Sequence, residues 1–360
     1  MIYNRKSYVE TKYFKRTARW VAIILILSVC LLFSMVLASI VGPMPVSVGD
    51  ALGIIVHRIP ILGNVVNGQW TALEESVVVQ LRLPRVLSAV LVGVALSIAG
   101  VVFQGIFRNP MADPYVLGVA SGAGFGALLA IVFGVGLPSL GLFYAIPLMA
   151  CMGALSTIFL VYAIARTDFG IPVLRLLLAG IAVNSFFSSM ISLVIATAGE
   201  DVHFAFDWLF GGFPISRWEY INVISPAIFV CSVMIYAFAR DLNVMLLGEE
   251  QAQQLGVEVE NVKKRLITLG SLITAFAVSI SGIIGFLGLI VPHMMRISVG
   301  PDHRILIPSS ALAGASLLVL CDAVARTILR PIVLPTGILT ALLGTPFFVY
   351  LLMKSGKIMV

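Results

Sequence analysis

The strongest constraint on this chain is the stretch 266–295, thirty residues without an Asp, Glu, Lys or Arg, set in a train of apolar runs that continues from residue 20 to residue 353. About 20 apolar residues in a helix cross the ~30 Å hydrocarbon layer of a bilayer. The runs are too long for barrel strands and do not alternate, so helices are the spanning element open to them. With 60% hydrophobic and 11% charged residues and a mean hydropathy of +1.07, the 360 residues offer too little polar surface to coat a water-soluble particle. The runs recur from end to end, which a signal peptide does not produce. The expected fold class is therefore all-α, a polytopic protein of the cytoplasmic (cell) membrane with the lipid bilayer as its solvent. The net charge of +6 is spread along the chain rather than gathered into a phosphate-binding stripe, which argues against a nucleic-acid partner.

Ten spans are expected, at about 20–41, 86–103, 117–135, 142–165, 176–196, 220–239, 266–281, 285–295, 306–325 and 333–353. The stretch 266–295 is too long for one upright span, and Gly282, Gly285 and Gly288 mark where it breaks. Cytoplasmic loops carry the excess of Lys and Arg. Ten spans with both termini cytoplasmic place 17 of the 23 basic residues inside and 6 outside, whereas fusing the ambiguous region into one span gives 15 and 8. The chain then reads as one transmembrane domain over 1–360, with a basic cytoplasmic segment 1–19, an outer loop 42–81 and a polar cytoplasmic segment 242–265. Trp20, Trp208 and Trp218 beside span ends, and Trp70 in the outer loop, fit an interfacial belt.

Catalytic apparatus is missing from the sequence. It holds no G-x-x-x-x-G-K-[ST] loop, no H-E-x-x-H, no C-x-x-C and no G-x-S-x-G. No enzyme activity, catalytic residue, metal site or bound cofactor is expected. Cys30, Cys151, Cys231 and Cys321 fall inside spans as small packing residues. His293 and His303, flanking Arg296, read as loop or cap residues. An intramembrane acid such as Asp322 suggests a proton relay, but Arg326 one turn away offers it a structural partner and no second acid lies deep in a span. Gly118, Gly122 and Gly126, like Gly93, Ser97 and Gly100, are spaced for close helix packing.

The polar islands between spans carry the remaining information. They are Arg82-Leu-Pro-Arg85, Gln104, Arg108-Asn-Pro-Met-Ala-Asp-Pro114, Leu176-Leu-Leu-Ala-Gly180, Leu247-Gly-Glu-Glu-Gln-Ala252 with Leu255-Gly256, Gly285-Phe-Leu-Gly-Leu-Ile-Val-Pro-His-Met-Met-Arg296, Asp322-Ala-Val-Ala-Arg326, Leu334-Pro-Thr-Gly337 and Gly344-Thr-Pro-Phe347. In order and placement, from about Arg82 to Lys354, this series resembles the membrane permeases of type II ABC importers, the family that takes up iron–siderophore complexes, haem and vitamin B12. The resemblance implies a homodimer of ten-helix subunits, two cytoplasmic ABC ATPase subunits that use ATP and Mg, and an extracytoplasmic substrate-binding protein docking from outside.

Residue by residue, the resemblance implies docking of acidic side chains of the binding protein at Arg82, Arg85 and Arg326. Guanidinium groups suit this, being always charged and able to bind carboxylate bidentately; the plain alternative for Arg82 and Arg85 is anchoring at a helix start. ATPase coupling falls to Gly248, Glu249, Ala252 and Gly256, with Ala252 and Gly256 four apart to form a flat patch, against the alternative of a solvated loop. At the cytoplasmic gate the family's small polar residues are replaced here by Pro172-Val173-Leu174, so Val173 and Leu174 form an apolar constriction suited to dewetting. Asn109 matches a second gating position and equally suits an Asn-Pro turn. The function implied is translocation of a metal chelate by alternating access, iron–siderophore first, with cobalamin, haem or an oxyanion such as molybdate as other cargoes. The competing reading is an ion-gradient-driven secondary transporter of a bulky solute.

Overall fold

Each of the ten predicted runs is the body of a helix. The computed structural model describes residues 2–42, 44, 46–58, 70–135, 141–167, 170, 172–329 and 331–355. Among the basic residues counted above, Arg330 and Lys357, and the side chains of Arg5, Lys6, Lys12, Lys15 and Lys354, lie outside what is described. The helices are α1 (Ile2–Ile40), α2 (Val48–His57), α3 (Ala72–Ser76), α4 (Leu83–Ile106), α5 (Val119–Phe133), α6 (Gly141–Ala165), α7 (Val173–Thr197), α8 (Val202–Leu209), α9 (Trp218–Ala237), α10 (Ala239–Met245), α11 (Glu249–Gln254), α12 (Val259–Ser281), α13 (Leu287–Val299), α14 (His303–Ala325) and α15 (Thr336–Ser355). Seven helical segments of the described residues are long and apolar enough to cross a membrane: Arg16–Ile40, Ala72–Ile106, Tyr144–Ala165, Val173–Thr197, Trp218–Ala237, Val259–Ser281 and His303–Ala325. α2, α5, α13 and α15 are shorter apolar helices. At 13 residues α13 rises only about 20 Å, less than the hydrocarbon thickness.

Among the described residues of the segment 42–81, Val48–His57 and Ala72–Ser76 are helical. A capping box at Thr71, whose hydroxyl accepts from the Glu74 N–H while the Glu74 carboxylate accepts from the Thr71 N–H, starts α3. A π-helical turn, Val77–Arg82, then carries the chain into α4, so the second span is one rod from Ala72 to Ile106. Ala51 and Ile54 of α2 pack on Val78 and Val79 of this turn. Trp208 is buried rather than interfacial, because α8 folds inward onto the break after α12.

α4 is the hub, packed against α14, α12, α13 and α9, and 78% of its apolar window is buried against 11% for α1. Its small residues explain the position. A Cβ on Gly100 would fall 1.8 Å from the Gly288 carbonyl oxygen of α13, and one on Gly93 2.6 Å from Ala315 Cα of α14. Gly126 meets the Met149 carbonyl of α6 at 2.0 Å in the same sense. Both glycine stripes are packing surfaces, as the spacing predicts.

The predicted break falls at 282–286, bracketed by left-handed residues Gly282 (φ 63) and Phe286 (φ 67). Non-helical backbone between apolar helices requires internal partners. The Tyr115 hydroxyl supplies two of them, donating to the Ile284 carbonyl (3.1 Å) and accepting from its N–H (3.3 Å), while Gly212 N–H donates to the Ser281 carbonyl at 2.7 Å.

Candidate functional site

Arg82 closes the π turn, Arg85 lies in the first turn of α4, and Arg326 caps α14. The structure brings all three to one cavity of about 330 Å³, walled by Met44, Val77, Leu81 and Phe213. Their exposure differs from the docking expectation. Arg82 (5%) and Arg326 (3%) are buried, because the helix runs back to Ala72 and encloses them. Arg82 donates to the carbonyls of Ser39 (3.0 Å), Ile40 and Met44, and Arg326 to those of Ala38 (3.0 Å) and Val41 (2.9 Å). A helix leaves its last carbonyls unpaired and carries partial negative charge there. Two guanidinium groups therefore cap the C-terminus of α1. Arg85 holds the Asp322 carboxylate bidentately at 2.9–3.1 Å, and Arg326 Nε and the Thr336 hydroxyl bind the same carboxylate at 3.0 and 3.1 Å. Asp322 thus has the structural partner expected of Arg326 and a second one from α4. Of the three arginines, Arg85 keeps the most exposure, its side chain 17% accessible.

At the other end, a cavity of about 320 Å³ is lined by Phe107, Arg108, Pro172, Val173, Glu249, Glu260 and Lys263. One candidate gate residue, Val173, and one coupling residue, Glu249, therefore share one space. Asn109 is exposed beside it; its side-chain oxygen accepts from the Met111 N–H at 2.9 Å, forming the Asn-Pro turn. Leu174, in the first turn of α7, is exposed. Gly248 (φ +123) introduces α11, and Glu249 reaches Lys263 Nζ at 2.6 Å. Lys263 also binds Glu260 at 3.1 Å and is itself buried. Glu260 in turn packs on Gly170 of the α6–α7 link, where a Cβ would come within 2.5 Å of its carboxylate.

Of the coupling residues, Ala252 is completely buried, because the short helix α11 turns that face onto the chain's own core. Gly256 (φ +86) stands in open space, with nothing within 4 Å of its Cβ direction. The exposed apolar side chains of the segment are Leu247 and Leu255, both present in the sequence motif but overlooked. Behind it, Asn243 of α10 ties to the start of α14, donating to Asp302 and accepting from the His303 N–H, both at 2.8 Å. His303 is buried at the head of α14. Hydrogen bonds from Arg304 and Asn243 hold the Asp302 carboxyl down at about 2.

Sequence reading placed the span of α7 but missed its polar face. Asn184, Ser185, Ser188, Ser189 and Ser192 are all exposed on it beside Phe186 and Leu193. Ser185, Ser189 and Ser192 donate to carbonyls four residues back at 3.0 Å. Hydroxyls can satisfy themselves this way facing lipid, but an Asn amide among them suits water or a partner subunit. The recurrence of polar residues within 176–196 was the available signal.

The chain is helical and membrane-spanning, with polar residues at its two ends and along α7, as in the permease class of transport proteins. It belongs to the FecCD transport family, whose model matches residues 26–354. Over 323 residues it is 42% identical to a cobalamin import system permease protein, BtuC, of Halobacterium salinarum, covering 85% of each chain. It is 40% identical over 278 residues to the hemin transport system permease protein HmuU of Yersinia pestis, covering 77% of this chain and 83% of that one. Its fold matches a solved metal-chelate type ABC transporter in an inward-facing conformation with a TM-score of 0.79 and 32% identity, over 92% of this chain and 99% of the other. Members of this family are transport subunits rather than enzymes.

Proposed function

We propose that two copies of this chain form the membrane pathway of an ATP-driven importer of a metal chelate, working by alternating access with two cytoplasmic ATPase subunits and an outer binding protein. The observation that carries the reading is the inner cavity, where the coupling residue Glu249 and the gate residue Val173 line the same space. Movement imposed on α11 by an ATPase would pass through Glu249, Lys263 and Glu260 to the α6–α7 link at Gly170, and so to the gate. Leu247 and Leu255 are the side chains that seat in the ATPase, with Gly256 providing the turn. The exposed polar face of α7 lines the pathway.

At the outer end Arg85 is the docking residue for an acidic side chain of the binding protein, with Arg82 and Arg326 building the socket from within. Relatives named for cobalamin and hemin support a metal chelate as the cargo; iron–siderophore complexes are the first class to assay, followed by cobalamin and haem. Reconstitution in liposomes tests the whole. Uptake is expected only with the ATPase, ATP and Mg, and the binding protein all present. Uptake by the chain alone under an ion gradient would refute the reading in favour of a secondary transporter.

A further inference from the structure

Near the N-terminal end of the α1 span, Arg16 and Arg304 both lie against the Trp20 indole, with guanidinium carbons 5.0 and 5.5 Å from the ring centroid. Arg19, adjacent to the tryptophan, donates to the Ser298 carbonyl in the last turn of α13 at 3.0 Å. Three distant segments, α1, the end of α13 and the start of α14, thus converge on one basic corner. Arg16 and Arg19 are exposed. Among the described residues, Asp302 is bonded within the corner, paired with Arg304 at 2.6 Å. Immediately along α1, Val21, Leu25, Val29, Leu32 and Phe33 are each more than half exposed.

We propose that this corner binds the phosphate of an anionic phospholipid of the cytoplasmic leaflet, with the acyl chains lying along the apolar face of α1. The guanidinium fork matches phosphate oxygens bidentately. A tryptophan belongs at headgroup depth, and basic groups flanking a span draw anionic lipid. Inorganic phosphate shares the headgroup chemistry but has no chains to lay on α1. The proposal rests on the inward orientation of the basic ends and is independent of cargo and ATPase.

Native mass spectrometry of the delipidated full-length chain in detergent, titrated with phosphatidylglycerol or phosphatidylcholine, tests it. Phosphatidylglycerol is expected to bind about tenfold more tightly, and Arg16→Gln with Arg19→Gln to cut that preference by roughly threefold per arginine. Excess inorganic phosphate is expected to leave the lipid adduct in place. Equal binding of the two lipids, or displacement by phosphate, would overturn the proposal. Because the comparison of lipids is made on the unaltered chain, it stands even if the double variant folds poorly. A chain that keeps the lipid preference but imports nothing in liposomes would remove the transport reading and leave this site intact.

Discussion

Replacing Lys263 by Met tests how movement at the ATPase surface reaches the gate. The buried ammonium binds Glu249 at 2.6 Å and Glu260 at 3.1 Å, and those carboxylates are 36% and 44% exposed. A hydrogen bond to a charged group contributes ~1.5–3 kcal/mol, but partners this exposed are screened and rehydrate readily. The Glu249 bond, the one of the two that joins α11 to α12, is therefore expected to hold the helices together by about 1–2 kcal/mol. Methionine has similar length and no charge to desolvate, so overall stability should change little. Losing the link should shift the balance between engaged and disengaged α11 by roughly 5–30-fold. In proteoliposomes with ATPase and binding protein, uptake per ATP hydrolysed is expected to fall about tenfold while hydrolysis stays within about twofold. Exchanging the partners, Lys263→Glu with Glu249→Lys, should recover part of the loss. Unchanged uptake per ATP in Lys263→Met, or a parallel fall in hydrolysis and stability, would refute the link as the transmission path.

Arg82→Gln strips two carbonyls of α1 and that of Met44 of their donor and is expected to destabilise the protein by about 3–5 kcal/mol, read as a large drop in thermal midpoint, whereas Arg85→Gln should fold and instead weaken docking of the binding protein in a salt-dependent way. Asp302 binds its proton more weakly folded, at about 2 against 3.8 unfolded. Its stabilisation, about 2 kcal/mol, is complete above the unfolded value and lost as pH falls toward 2, so Asp302→Asn should flatten the thermal midpoint across pH 4 to 2. Gly256→Val, in open space but at φ +86, should cost only about 1–2 kcal/mol yet lower uptake per ATP. Gly100→Ala must part α4 from α13 and should abolish accumulation of folded protein, measured as yield after detergent extraction.

The spans were legible because their signal is an average over some twenty residues, and the break because Gly282 permits a left-handed turn there. The outer arginines show where such reading stops. Sequence places Arg82 at a helix start, but its environment is fixed by carbonyls 38–43 residues away, and Arg326 reaches carbonyls 285 and 288 residues back. No local pattern encodes that register. Ala252 illustrates a finer limit: the face that a six-residue helix buries is set by what it packs on, and one residue of register turns it by about 100°. Lys263, followed by Lys264 and Arg265, reads as part of a solvated charge run, yet it is the buried one.

The interruption between α12 and α13 has a consequence for how the chain can move. Tyr115 fills both hydrogen-bonding positions of Ile284, so that residue has no free backbone group left to draw water inward. The two helical pieces can change their mutual tilt about this point while its backbone stays sealed by a side chain from a turn 169 residues earlier. Bending is therefore available at a place where unravelling is not, and whatever displaces the inner turn at 107–118 is felt at the joint as well.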